Sequence, residues 1–226
     1  MTTSRLRPRA LAALLCVALL PALTAVAPSA ASAGELRFRD ATADVQSLDL
    51  ADGLDEGSLV TDPSVRNGDI RSVFVHYRAG RLVIRANFVD LVPRRRTQMS
   101  FGGAIRTNEN RRWEYSVDTA PDKYAGHDTL RRHRDGRIAC EIGHRIDYAR
   151  NFARVVVPLR CLSNPRWVKV SLGMVTFDVD RKAFEAWLAD GDPDSDLPRG
   201  VFVVHADDGH SPGLADRTAW TPRVHR

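Results

Sequence analysis

The chain is short of the motifs that announce common catalytic machinery. It has no His-Glu-x-x-His zinc helix and no glycine-rich phosphate loop. Its seven histidines (His76, His127, His133, His144, His205, His210 and His225) stand at no spacing diagnostic of a metal site. No segment repeats at a fixed period, which excludes solenoid and propeller readings. Cysteine is scarce, with three in 226 residues. Aromatic residues make up only 7%, and none interleaves with the basic run Arg94-Arg95-Arg96. Without rings interleaved among the cations, and with a charge near +2 expected for the mature chain, no nucleic-acid partner is expected.

What is present begins with an address. Arg5, Arg7 and Arg9 precede an apolar run from Leu11 to Leu20, and Ala31-Ser32-Ala33 is a small-residue cleavage site. Residues 1–33 are expected to be a signal peptide, with residues 34–226 forming a single domain outside the cell. The uncharged run from Ala10 to Ala33 is also long enough to span a bilayer, so a retained anchor is the alternative. Cleavage would remove three arginines and no acid. The balance of 33 basic to 28 acidic residues would become 30 to 28, so the basic precursor gives little reason to expect a polyanionic partner. Cleavage would also remove Cys16 and leave Cys140 and Cys161, an even pair in an exported chain, which reads as a disulfide.

The pattern of the remaining residues is that of strands. The stretch from Asn67 to Val92 alternates apolar and polar residues around Ala79-Gly80. With a two-residue loop there, Tyr77 faces Leu82, Val75 faces Ile84, Val73 faces Ala86 and Arg71 faces Phe88. A three-residue loop with Gly80 in a bulge is the alternative. The two-residue register puts Val73, Val75, Tyr77, Leu82, Ile84, Ala86 and Phe88 on one face. Glu35 to Arg39 makes a first strand. Asp40 to Pro63 reads as an acidic loop. Gln98 to Arg106 and Arg112 to Asp118 form a hairpin with Trp113, Tyr115 and Val117 on its apolar face. Pro121 to Asp128 reads as a loop. Asp135-Gly136 turns Thr129–Arg134 into Arg137–Ile142. Phe152 to Leu159, Trp167 to Phe177 and Val201 to His205 complete the set. One helix is expected, Arg181 to Ala189, capped by Asp180 and closed by Gly191. The sum is an all-β chain: an antiparallel β-sandwich of jelly-roll or immunoglobulin-like type with one short helix.

Two local features could carry chemistry. Asp190, Asp192 and Asp194 alternate along one loop and could converge oxygens on calcium, although Ser195 and Val201 occupy the positions where an EF-hand has glycine and glutamate. No other cofactor is expected. Trp113, Tyr115, Trp167, Trp187 and Trp220 could form a sugar-stacking platform, but strand alternation sends the first two to the core.

Asp40, the run Asn67-Gly68-Asp69-Ile70 and the hairpin after it resemble the start of DOMON-like and family-nine carbohydrate-binding-module-like sandwiches. The segment Val155 to Val170, with Cys140, Cys161 and the terminal Thr221-Pro222-Arg223-Val224, is similar to uncharacterised exported proteins of high-GC Gram-positive bacteria. The resemblance implies a β-sandwich. It brings no haem site, because Met99 and Met174 have no histidine partner in the pattern. The function expected from pattern and resemblance together is a secreted, non-catalytic binding module, with a glycan or cell-wall component as ligand and no membrane contact after cleavage. An extracellular hydrolase using loop carboxylates, and a purely structural or protein-interaction domain, are the alternatives.

Overall fold

Alternation of β-branched and aromatic residues with polar ones builds the central hairpin, β4 (Ile70–Arg78) and β5 (Arg81–Phe88). Arg78 pairs with Arg81 and Tyr77 with Leu82, the register of a two-residue connection. The computed structural model describes residues 34–52, 60–78, 80–93, 97–109, 111–120, 123–190, 198–207 and 220–226. The expected signal segment, the Arg94-Arg95-Arg96 run and Gly191 lie outside the described residues, as do Asp192 and Asp194.

The seven residues assigned to the core face of the hairpin are all buried. Each such side chain is worth about 1.5–3 kcal/mol on burial, alanine less, and together they fix the register. At the start of β4 the structure departs from strict alternation. Phe88 pairs with Ile70 rather than Arg71, because a bulge falls between Ile70 and Ser72. The extra residue lets Ile70 and Val73, three apart, both face inward while Arg71 stays in water.

The chain is an all-β antiparallel sandwich. One sheet runs β1 (Glu35–Arg39), β4, β5, β10 (Phe152–Pro158), β9 (Gly143–Asp147). The other runs β3 (Val60–Thr61), β2 (Gln46–Asp49), β12 (Phe202–Asp207), β11 (Trp167–Val179), β6 (Thr97–Thr107), β7 (Arg112–Ala120), β8 (Lys123–Arg132). A short β13 (Val224–His225) also pairs with β11. Between the sheets, Phe88 meets Phe101 edge-on at 6.1 Å, and Phe101 meets Tyr115 at 6.4 Å. The Tyr115 hydroxyl donates to the Ser171 carbonyl at 3.0 Å, and complete burial pushes its phenol well above the ordinary tyrosine value. In β6, a Cβ on Gly103 would sit 2.1 Å from the Ser171 carbonyl oxygen, so only glycine fits beside β11.

Three segments differ from their sequence pattern. Asp40 to Pro63 is not one loop; β2 and β3 lie within it. Pro121 to Asp128 is not a loop either, since β8 begins at Lys123. These three strands are poor in apolar residues because they sit at or near a sheet edge, where backbone pairing rather than side-chain burial holds them. Arg137 to Ile142, by contrast, keeps only one bridge, Arg131 to Ile138, and Ile138 is 64% exposed. The helix α1 spans Arg181–Asp190, with Asp180 Oδ1 accepting from the Lys182 and Ala183 amides at 3.1 and 3.2 Å. Its Leu188 faces water.

Cys140 and Cys161 are joined in a disulfide across a sequence separation of 21. By loop-closure entropy this stabilises the fold by about 3 kcal/mol. Cys161 lies in a 3-10 turn, Leu159–Leu162, that follows β10 directly. Pro158 at the end of β10 pairs with Arg81 beyond the reach of β9, whose ladder stops at Val156. A missing N–H there leaves no bond unmade.

Candidate functional site

The hairpin β7–β8 brings two basic runs together. Arg111 and Arg112 open β7, while Arg131, Arg132, His133 and Arg134 close β8 and start the turn after it. Trp113 pairs with Arg132 across the ladder, and the His133 amide donates to the Arg112 carbonyl at 3.1 Å. The two runs therefore end on the same rim.

That rim borders a cleft of about 660 Å³. One wall carries Arg111, Arg112, Arg132 and Arg134 with His133 and Asp135; Trp113 lies behind it. The other wall is Ile138, Ala139 and Ser163. Cys140 follows Ala139, and Cys161 precedes Ser163 by two residues, so the disulfide ties the two segments of this second wall. Ser163 holds φ 64° at the end of its 3-10 turn, and its hydroxyl accepts from Arg111 at 3.0 Å. The Asp135-Gly136 turn shapes the far end: the Gly136 amide donates to the Arg132 carbonyl at 2.8 Å, and the Ala139 amide to Leu130 at 2.7 Å.

Four guanidinium groups thus face one carboxylate of the lining. Their pairings are exposed ones: Arg111 with Glu109 at 3.1 Å, Arg112 with Glu114 at 3.8 Å, Arg132 with Asp135 at 3.2 Å, and His133 with Glu114 at 2.5 Å. Such pairs are worth about 0–1 kcal/mol each, so an incoming anion can exchange for them at small cost. Arginine presents a flat fork of donors that suits carboxylate and phosphate oxygens. Trp113 is 6% exposed, and its indole N–H has no acceptor among the described residues.

The other expected sites fare differently. Of the five aromatics proposed as a platform, Trp113 and Tyr115 are core residues. Arg223 stacks over Trp167 at 4.6 Å, and Trp187 packs with Phe184 on α1 at 5.7 Å. The calcium run falls outside the described residues apart from the Asp190 backbone, which ends α1. Met99 and Met174 line a small apolar void with Leu91, Phe101 and Ile146, and no histidine among the described residues lines it. One Gly-x-Ser-x-Gly match does occur, Gly209-His210-Ser211-Pro212-Gly213, and it also lies outside the described residues. A nucleophile elbow sits on a strand-to-helix turn of an α/β-hydrolase sheet, whereas this chain pairs its strands antiparallel throughout the ladders of both sheets.

Groups able to hold a hard cation stand elsewhere. Oxygens of Asp44, Asp69 and Asp207 lie within 4.8 Å of one another. They come from the β1–β2 link, the residue before β4 and the last residue of β12, positions 25 and 138 apart in sequence. No local motif joins them. The one sequence signal was an aspartate ending the apolar run Val203-Val204-His205-Ala206. The cleft had a clearer signal, because Arg111-Arg112 and Arg131-Arg132-His133-Arg134 are runs as dense as Arg94-Arg95-Arg96 and flank one hairpin.

Comparison with protein-family models, with curated proteins and with solved structures finds no match. The fold and the cleft therefore define the class alone: an antiparallel β-sandwich with a disulfide-bordered arginine cleft on one hairpin rim.

Proposed function

We propose that this domain is a secreted, non-catalytic binding module whose ligand is an anionic extracellular glycan or cell-wall polymer. The observation that carries the reading is the cleft's lining among the described residues, four guanidinium groups and an imidazole against one carboxylate, with Glu109 and Glu114 paired to three of them at its edge, around a volume of about 660 Å³. A volume in this range suits a ligand of one or a few sugar units. Trp113 and Tyr115 go to the core and Arg223 stacks over Trp167, while the part-exposed Trp187 and Trp220 do not line the cleft, so within the cleft the anionic group of the ligand supplies the recognition. A disulfide agrees with an oxidising compartment. No helix among the described residues is long and apolar enough to cross a membrane.

A pull-down against uronate polymers, phosphodiester wall polymers and neutral polysaccharides tests the reading. Retention on one or both anionic classes, and not on the neutral ones, is expected. Blank results on every anionic polymer would sink it. Retention on neutral glycans that survives Arg132→Ala would move the site off the cleft. The hydrolase alternative rests on the convergence of Asp44, Asp69 and Asp207, but Asp69 and Asp207 are 2% and 8% exposed. Glycoside cleavage needs two carboxylates on either side of an open cleft.

A further inference from the structure

We propose that Asp44, Asp69 and Asp207 form a binding site for a divalent cation of the calcium type, which clamps the two sheets together at the ends of β4 and β12. The inference is independent of the glycan reading.

An acidic cluster is common without an ion, and burial is what sets this one apart. Asp69 is 2% exposed. Its Oδ2 accepts from the Ala43 amide at 2.9 Å, but its Oδ1 is buried without a hydrogen-bond partner. Asp44 Oδ1 is buried and unpartnered as well. Asp207 directs Oδ2 at the Ile70 amide. A buried carboxylate oxygen with no donor is costly, and buried charges are normally paired or bound to metal. Among the described residues, the cation acting on Asp69 is Arg66, whose side chain lies in solvent. Burial first, and then the neighbouring Asp44 charge, raises the Asp69 carboxyl above its ordinary value.

The donor set chooses the metal. All three donors are carboxylate oxygens, which suits a hard cation and excludes a thiolate or imidazole site. Two oxygens on opposite sides of calcium, each at about 2.4 Å, stand about 4.8 Å apart. Oxygens that all lie within 4.8 Å of one another can reach one such ion together. Magnesium, at about 2.1 Å, draws ligands closer and keeps more of its water.

The position gives the ion a structural task. Asp44 lies where the chain crosses from β1 in one sheet to β2 in the other. Asp69 precedes β4 in the first sheet, and Asp207 ends β12 in the second. A cation shared by the three would hold that end of the sandwich closed.

The test is thermal melting of the purified chain, stripped with EDTA and then titrated with calcium chloride. Calcium at a hundredfold excess over its Kd is expected to raise Tm by roughly 5–10 °C. Asp69→Asn keeps the shape and removes the charge. It is expected to melt higher than the unsubstituted chain in EDTA and to lose the calcium response; Asp44→Asn is expected to lose that response also. Asp192→Asn with Asp194→Asn is expected to leave it intact. No calcium-dependent shift in the unsubstituted chain overturns the proposal. So does a response that survives Asp69→Asn and Asp44→Asn but vanishes in the Asp192/Asp194 pair, or a larger shift with magnesium than with calcium.

Discussion

Two clusters of like charge mark this sandwich, and they obey opposite physics. The arginine cleft lies in water, where Arg111, Arg112 and Arg132 each have a loose exposed partner. Gathering positive charge there costs little, and exchanging a partner for a ligand costs little as well. The aspartate cluster lies at one end of the sandwich, with Asp69 and Asp207 buried, where an oxygen without a donor has no water to turn to. Charge of the same kind is cheap at the first place and expensive at the second. The surface cluster therefore suits the exchange of ligands proposed for it, and the buried one the single resident cation proposed there.

The largest effect should come from the element that borders the cleft. Replacing Cys140 and Cys161 by serine is expected to lower stability by about 3 kcal/mol in a denaturant melt. The same change frees the Ala139 and Ser163 segments, so binding in the cleft should weaken with it. A disulfide that merely stiffens the chain would lower stability and leave binding untouched.

Next comes the buried cluster. In EDTA, Asp69→Asn is expected to raise stability by about 1–3 kcal/mol, because it removes a buried, underpaired charge. The matching change at the surface, Arg132→Ala, should alter stability by less than about 0.5 kcal/mol. Melting curves for the two variants side by side would break the comparison if both moved stability alike. Arg132→Ala should instead weaken anion binding by about tenfold, the worth of one charge-assisted contact.

The smallest effect belongs to a single histidine on the outer face of β4. Burial, and then the Arg78 charge, holds His76 below its ordinary value, with Glu35 opposing. Arg78 Nε donates to His76 Nε2, which favours the neutral ring. The folded state thus takes up this proton less readily than the unfolded one. The contribution is present above the ordinary histidine value of 6.5 and is lost as pH falls through the folded value. Stability followed from about pH 8 to about pH 5 should fall less steeply in His76→Gln.

Much of the fold was legible in the chain. The faces of β4 and β5, the pairing of Tyr77 with Leu82, the capped helix and the Cys140–Cys161 bond follow from alternation, turn residues and cysteine count. What escaped were elements whose side chains do little of the holding. β2 and β8 carry few apolar residues, and their backbones pair regardless. The Ile70 bulge was invisible because two buried residues three apart fit no period-two pattern. The cleft was half legible, since its arginine runs stand in plain sight and only strand pairing unites them. The aspartate cluster was not legible, because nothing local connects Asp44, Asp69 and Asp207.

The ligand site we propose is the arginine rim. Calorimetric titration of the purified chain with an acidic polysaccharide, at about 50 and about 200 mM salt, tests it most directly. Binding that weakens at the higher salt and disappears in Arg132→Ala with Arg134→Ala is the predicted result. Binding indifferent to both salt and those substitutions, or no binding to any polyanion, would contradict it.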